Sequence, residues 1–333
     1  MATFGEAVAG GQATLLDGGL ATQLEARGHD LSDTLWSARL LLEDPDEVRA
    51  AHADFFAAGA QVATTASYQV SASGFVAAGR SRDNAELALR RSVQLAREAA
   101  SAAATDGAWV AASVGPYGAA LANGSEYRGD YGLSVTELRA WHRPRLEILA
   151  DAGADVLALE TIPCLAEVEA LLAEVDRLGV AAWLSLTVAA PALVPAAVRS
   201  SGAADSRSVD GSLDVEATTS DLEALSLPTT RFGEPIAQAY AMAADVPGVV
   251  AVGANCFDPA LVAGVAHAAR PFGRAVIAYP NSGELWDADA RTWTGEPTIG
   301  AEAAATWRRE GVQLIGGCCR VGPDLIASMR QAL

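Results

Sequence analysis

Three of the four cysteines stand in two short contexts that could do chemistry. Cys256 closes Gly253-Ala254-Asn255-Cys256, and the adjacent Cys318 and Cys319 close Gly316-Gly317-Cys318-Cys319. Three thiolates form a soft ligand set whose usual occupant is zinc. Their spacing is not the local C-x₂-C of a finger or ribbon, so only the fold could bring them together. Three protein ligands leave a fourth tetrahedral position open, which marks a catalytic rather than a structural centre. An open position beside thiolates suits a thiol substrate. A free thiol of pKa near 8.5 is only about 3% ionised at pH 7, and metal coordination deprotonates it outright. That makes a nucleophile without a general base. The competing reading is that these cysteines are core residues or a redox pair, and spacing alone does not separate the two.

Two carboxylates join the thiols as candidates. Asp17 precedes Gly18-Gly19, where the plain alternative is a turn or helix cap. Glu160 closes the apolar run Val156–Glu160 and caps no evident helix, which points to function. His29, His52, His142 and His267 fall in loops or on helical patterns and read as structural or surface residues.

The elements that must position these groups follow from periodicity. Short apolar runs at Thr14–Asp17, Val62–Thr65, Val110–Val114, Val156–Glu160, Ala182–Thr187, Val249–Asn255, Ala275–Tyr279 and Gln313–Gly316 predict eight strands of a parallel sheet buried on both faces. Helical patterns lie between them. Asp44-Pro45-Asp46-Glu47 predicts a cap at Asp44 with Glu47 in the capping-box position, Ser134 and Glu137 predict a second box, and Asp258-Pro259 repeats the cap-then-Pro pattern. Gly59, Gly153, Gly179 and Gly311 mark helix stops. Eight β/α units in 333 residues predict a single-domain α/β fold, a (β/α)₈ TIM barrel. A doubly wound sheet is the alternative, but no G-x-G-x-x-G follows the first strand. Ser200 to Asp221, rich in Ser, Ala, Asp, Thr and Gly, reads as a flexible loop insertion after strand five.

In such barrels the active site lies at the C-terminal strand ends. Asp17, Thr64-Thr65, Glu160, Asn255-Cys256 and Cys318-Cys319 all fall at that rim. Cys256 on strand six and Cys318-Cys319 on strand eight share the even-strand side of the interior, and Gly316-Gly317 would let the backbone bend so that both neighbours reach one ion.

Composition narrows the chemistry further. The net charge is −18, and all 23 basic residues are Arg. Without Lys there is no P-loop, Schiff-base lysine or ordinary kinase. The acidic balance argues against nucleic acid as a partner. The N-terminal Met1–Gln12 has no basic residue, and the longest apolar stretch, Trp183–Val198, is interrupted by Pro191 and Pro195. A cytoplasmic protein without a membrane span is expected.

Taken together, Leu16-Asp17-Gly18-Gly19-Leu20-Ala21-Thr22, Thr64-Thr65-Ala66-Ser67-Tyr68-Gln69, Tyr127-Arg128-Gly129-Asp130-Tyr131-Gly132, Glu160-Thr161-Ile162-Pro163, Gly253-Ala254-Asn255-Cys256, Tyr279-Pro280-Asn281-Ser282-Gly283-Glu284 and Gly316-Gly317-Cys318-Cys319 resemble the homocysteine S-methyltransferase family. The resemblance runs in order over nearly the whole chain. It implies a (β/α)₈ barrel holding zinc through Cys256, Cys318 and Cys319, with homocysteine as the fourth, thiolate ligand. It implies that Asp17 and Glu160 hold the homocysteine amino group and that Gly18 and the Thr64-Thr65 region take its carboxylate, with Asn255 among the substrate contacts. Direct methyl transfer would give methionine. The chain looks most like the branch using the sulfonium donors S-methylmethionine or S-adenosylmethionine. Tyr127, Tyr131, Glu284 and Trp286 are candidate donor contacts from the rim loops. The chain departs from the family pattern at the 200–221 insertion, where only Gly233-Glu234-Pro235 resembles the family motif. Cys164 is not a family ligand position and reads as packing near a helix start. Two other readings remain: a metal-dependent barrel hydrolase or lyase, which would need a general base at a strand end, and a non-catalytic thiol- or amino-acid-binding relative.

Overall fold

The computed structural model describes residues 2–103, 107–190, 227–287 and 292–333, with side chains except at 285–287, 292 and 293. Eight parallel strands run β1 (Thr14–Leu15), β2 (Val62–Thr64), β3 (Trp109–Val114), β4 (Val156–Ile162), β5 (Ala182–Leu186), β6 (Val249–Asn255), β7 (Ala275–Tyr279) and β8 (Val312–Ile315). Each pairs with its neighbours in sequence, β8 pairs with β1, and a parallel bridge between Leu16 and Val62 joins β1 to β2. The sheet is thus the closed (β/α)₈ barrel that the alternation predicts. β6 and β7 match their sequence-predicted limits to the residue. β4 runs two residues beyond Glu160, so this carboxylate sits inside a strand rather than closing it.

Helices follow every strand, among them Pro45–Ala58, Arg82–Ala102, Val135–Asp151, Leu165–Leu178 and Pro323–Arg330. Their apolar faces and the outward strand residues form one core layer, and the inward strand residues form a second, inside the barrel. The Ser134–Glu137 capping box forms as expected, and Asp258 accepts from the Ala260 N–H at 2.9 Å. Asp44 does not cap: at φ −146°, ψ 66° its side chain makes no capping hydrogen bond, and Glu47 pairs with Arg27 at 2.8 Å instead of closing a box. The four helix-stop glycines all adopt positive φ. Cys164 is buried at the N-cap position of Leu165–Leu178.

One element escapes the periodicity reading. Phe4–Ala9 is a helix with a reciprocal Thr3–Glu6 capping box, and it plugs the N-terminal mouth of the barrel. Phe4 meets Trp109 edge-on at 5.7 Å and Trp183 at 6.0 Å. Six residues are too few to show a helical period.

The glycines after β1 and β8 serve close approach rather than bending. A Cβ on Gly18 would stand 2.2 Å from the Val321 carbonyl oxygen, and one on Gly317 would stand 2.2 Å from Val321 Cγ1. Neither Gly316 nor Gly317 has positive φ, so the bend expected from Gly316-Gly317 is not their role. A Cβ on Gly19 would stand 2.5 Å from the Cys318 carbonyl oxygen, so Gly18 and Gly19 let the two rim loops touch along their backbones, whereas Gly317 makes room for the Val321 side chain within its own loop. The 200–221 segment lies outside the described residues. Among the described residues no helix is long and apolar enough to cross a membrane.

Candidate active site

Cys256 leaves the end of β6 in the left-handed region, at φ 54°, a strained conformation for a residue with a Cβ. Cys318 and Cys319 follow β8. The three Sγ atoms lie within 4.8 Å of one another, and Cys256 Sγ is 3.7 Å from Cys319 Sγ. Among the described residues this is the one cluster of three or more metal-ligating side chains. Sulfurs bound to zinc at about 2.3 Å in a tetrahedron stand about 3.8 Å apart, so the spacing fits that ion. All four cysteines are free thiols.

What gathers the thiols is the segment leaving β7. The Cys256 N–H donates to the Tyr279 carbonyl at 3.3 Å, the Cys318 N–H to the Pro280 carbonyl at 2.8 Å, and the Cys319 N–H to Asn281 Oδ1 at 3.2 Å. Tyr279-Pro280-Asn281 therefore templates all three candidate ligands. On the far side, Thr187 Oγ1 donates to the Cys256 carbonyl at 3.2 Å.

The three thiols differ in how readily they ionise. Hydrogen bonds from Cys318, then Cys319 and Tyr127, hold the Cys256 thiol well below the usual range despite its burial. Hydrogen bonding to Cys256, with burial and the Cys256 charge adding to it, pushes Cys318 and Cys319 up.

The two carboxylates face into the same rim. Asp17 is buried and accepts from the Thr64 N–H at 2.7 Å and from Thr64 Oγ1 at 2.9 Å. Burial pushes its pKa to about 8, and the nearby Glu160 adds to the rise. Glu160 accepts from Ser113 Oγ and, at 3.1 Å, from Tyr279 Oη, which in turn accepts from Trp183 Nε1 at 3.1 Å. Burial pushes Glu160 to about 7. Two desolvated carboxylates above their usual range are short of positive charge.

The remaining expected contacts distribute themselves differently. Both donors of Thr64 go to Asp17. Thr65 links strands: its N–H donates to Ala111, and its hydroxyl accepts from the Ser113 N–H at 3.0 Å and pairs with Ser67 Oγ at 2.7 Å. Asn255 spends its amide inside the protein. Its Oδ1 accepts from the Thr161 N–H at 2.7 Å and Ser185 Oγ at 2.8 Å, and its Nδ2 donates to Thr161 Oγ1 at 2.8 Å. It thereby clamps the end of β6 to Thr161, itself left-handed at φ 62°. The Gly18 N–H has no hydrogen-bond partner among the described residues.

Of the loop candidates, Tyr127 reaches the centre, with its hydroxyl 3.2 Å from Cys256 Sγ. Tyr131 instead packs on Tyr117 at 5.3 Å and neighbours Glu167 and Cys164. Glu284 is held by Arg320 at 3.2 Å and by Ser282 Oγ at 2.8 Å. The Trp286 side chain lies outside the described residues. Sequence reasoning assigned no role to Ser113, Trp183, Tyr279 or Asn281, although Tyr279 and Asn281 stand in a motif it singled out. The signal for Ser113 was a hydroxyl in an otherwise apolar buried strand.

Barrel and rim together define a class: a (β/α)₈ protein with a three-thiol centre and two desolvated carboxylates at its C-terminal face. Comparison with known proteins refines it. Residues 14–333 match the family model described as homocysteine S-methyltransferase. The chain is 41% identical to the homocysteine S-methyltransferase of Escherichia coli (strain K12), with 95% of this chain and 94% of that protein covered. It is 39% identical to homocysteine S-methyltransferase 4 of Zea mays, over 97% and 90% of the two chains. The crystal structure of the homocysteine methyltransferase MmuM from Escherichia coli, metallated form, superposes with a TM-score of 0.77 at 36% identity, covering 97% of this chain and 96% of that one. The chain belongs to the homocysteine S-methyltransferase family.

The templating role of Asn281 is directly testable. Asn281→Ala leaves the Cys319 N–H without its acceptor, and removal of such an outer partner weakens metal affinity by about 10- to 100-fold. A competition titration of zinc against a chromophoric chelator should show that loss with three thiols still reactive. Unchanged affinity would remove Asn281 from the template.

Proposed function

We propose that this protein transfers a methyl group from a sulfonium donor, S-methylmethionine or S-adenosylmethionine, to the thiolate of homocysteine, giving methionine, with zinc held by Cys256, Cys318 and Cys319. The observation that carries this reading is the convergence of three thiols at zinc–thiolate spacing. Zinc, when bound, supplies an ionised thiol at neutral pH.

The chain's own residues supply recognition and placement. Asp17 and Glu160 receive the homocysteine ammonium, whose charge offsets the burial that raises them both. Thr64, Ser113 and Tyr279 aim the carboxylates, and the Gly18 N–H offers a donor to the substrate carboxylate. Asn255 acts by positioning Cys256 rather than by touching substrate. In the transfer, the donor's S–CH₃ bond breaks with its electron pair left on the departing sulfur. A lone pair of the homocysteine sulfur forms the new S–C bond. An anion and a cation become two neutral thioethers, so a dry site favours the step by withholding the solvation that stabilises separated charges. Cys256 is 5% exposed, which meets that requirement. No general base is called for, in keeping with a rim without histidine. A reducing cytosol would keep the thiols free.

The test is to incubate the zinc-loaded protein with homocysteine and each of S-methylmethionine, S-adenosylmethionine and betaine. Methionine should form from a sulfonium donor, with about one zinc per chain. Cys256→Ser should lose both the metal and turnover; full activity in that variant would contradict the mechanism.

The carboxylates add a pH dependence. An ammonium binds their ionised forms, and in the free protein these are depleted as pH falls through about 8 for Asp17 and about 7 for Glu160. KM for homocysteine should therefore rise as pH drops from 8.5 to 6, more steeply than thiol ionisation in solution accounts for. A flat profile would show that the pair does not carry the ammonium.

A further inference from the structure

Glu126 stands in the short turn Ser125–Tyr127, directly before the tyrosine whose hydroxyl lies 3.2 Å from Cys256 Sγ. Its Oε2 is shielded from solvent and has no hydrogen-bond partner among the described residues. The carboxylate is near enough to Cys256 and Tyr68 for their charges to act on one another. The adjacent Arg128 acts on it by charge alone, its donors going to Ser125 Oγ at 2.8 Å and to Asp130 at 3.3 Å. The other carboxylates at this rim all have donors, Asp17 from Thr64, Glu160 from Ser113 and Tyr279, and Glu284 from Arg320 and Ser282.

The backbone that carries Glu126 is held in place. A Cβ on Gly118 would stand 2.4 Å from the Glu126 nitrogen, so the helix Tyr117–Ala120 presses on the turn backbone to backbone. The Ser125 N–H is fixed on Asn123 Oδ1 at 3.1 Å, and the Gly129 N–H on the Ser125 carbonyl at 3.2 Å. The fold therefore holds an unpaired, desolvated carboxylate oxygen beside the thiol centre, at a cost to stability. A charge kept in that state fits a cation that arrives with a ligand.

We propose that Glu126 is the specificity-determining residue for the methyl donor and recognises the positive charge of its sulfonium. The inference rests on the sulfonium-donor reading given above. Asp17 and Glu160 already account for the ammonium of the thiol substrate, so the cations left to match are the donor's own, its sulfonium and its α-ammonium, and of these the sulfonium is the one that must lie beside the thiol centre for its methyl to be transferred. A sulfonium neither donates nor accepts conventional hydrogen bonds. It is recognised by charge and by aromatic faces; Tyr68 is the ring whose charge Glu126 feels, and the Tyr127 ring carries the Arg231 guanidinium 5.7 Å from its centroid. The attraction is also self-limiting. Methyl transfer turns the sulfonium into a neutral thioether, so Glu126 holds the donor and lets its product go.

Glu126→Gln and Glu126→Asp test this, with S-methylmethionine varied at saturating homocysteine, homocysteine varied at saturating donor, and zinc content and Tm measured alongside. Glu126→Gln should raise the donor KM by about tenfold or more. It should leave the homocysteine KM and zinc content within about twofold, and leave Tm unchanged or higher, because an isosteric amide relieves an unpaired buried charge. Glu126→Asp keeps the charge and should recover part of the donor KM. A donor KM for Glu126→Gln within twofold of wild type would overturn the proposal. So would a fall in Tm with both KM values rising together, which is the mark of a structural residue. Failure of the wild-type protein to make methionine from any sulfonium would overturn the donor reading itself, before any variant is compared.

Discussion

The site depends on one short stretch of backbone, Tyr279-Pro280-Asn281, accepting the N–H groups of Cys256, Cys318 and Cys319. Three thiols in mutual contact repel as they ionise, so something other than their own affinity must gather them. The closed barrel does this by placing the ends of β6 and β8 on either side of β7, so that a single tail can hold both. Strain enters at Cys256, whose left-handed backbone is held by the Asn255 clamp, the Thr187 hydroxyl and the Tyr279 carbonyl. Preorganisation of this kind spends folding energy so that the ligand set need not rearrange when the ion binds.

The same tail links the thiols to the carboxylates. Tyr279 templates Cys256 through its carbonyl and donates to Glu160 through its hydroxyl. Behind it, Trp183 donates to Tyr279 and packs against Phe4 of the plug helix. A continuous line of packed and hydrogen-bonded side chains thus runs from the N-terminal mouth to the rim. It keeps Glu160 dry, and dryness is what leaves its carboxylate short of positive charge. Asp17, Glu160, Glu126 and the thiols together make a rim of unmet negative charge in a chain without lysine. Arginines stand beside that rim, Arg231 over the Tyr127 ring at 5.7 Å and Arg320 on Glu284 at 3.2 Å, but neither is hydrogen-bonded to Asp17, Glu160 or Glu126.

Much of this was legible in the sequence, for identifiable reasons. Buried parallel strands are continuous apolar runs, so β6 and β7 could be delimited to the residue, and strand ends then located Asp17 and the thiols, with Glu160 two residues short of the true end of β4. What failed to show were properties set by tertiary neighbours. Asp44 has the composition of a cap but not its backbone angles. Gly317 reads as a hinge and is in fact a contact. Thr65 and Asn255 look like substrate ligands because they stand at the rim, yet their polar atoms are used within the protein. Glu126 was invisible because an acidic residue in a polar loop looks like surface until its solvent exposure is known. The 200–221 segment and the Trp286 side chain, both weighed for donor recognition, lie outside the described residues.

The central claim is that the three cysteines leave one position for a thiol. Zinc K-edge X-ray absorption on the loaded protein, before and after homocysteine is added, measures it directly. Three sulfur ligands at about 2.3 Å should become four on addition of homocysteine. A count that stays at three would contradict the account.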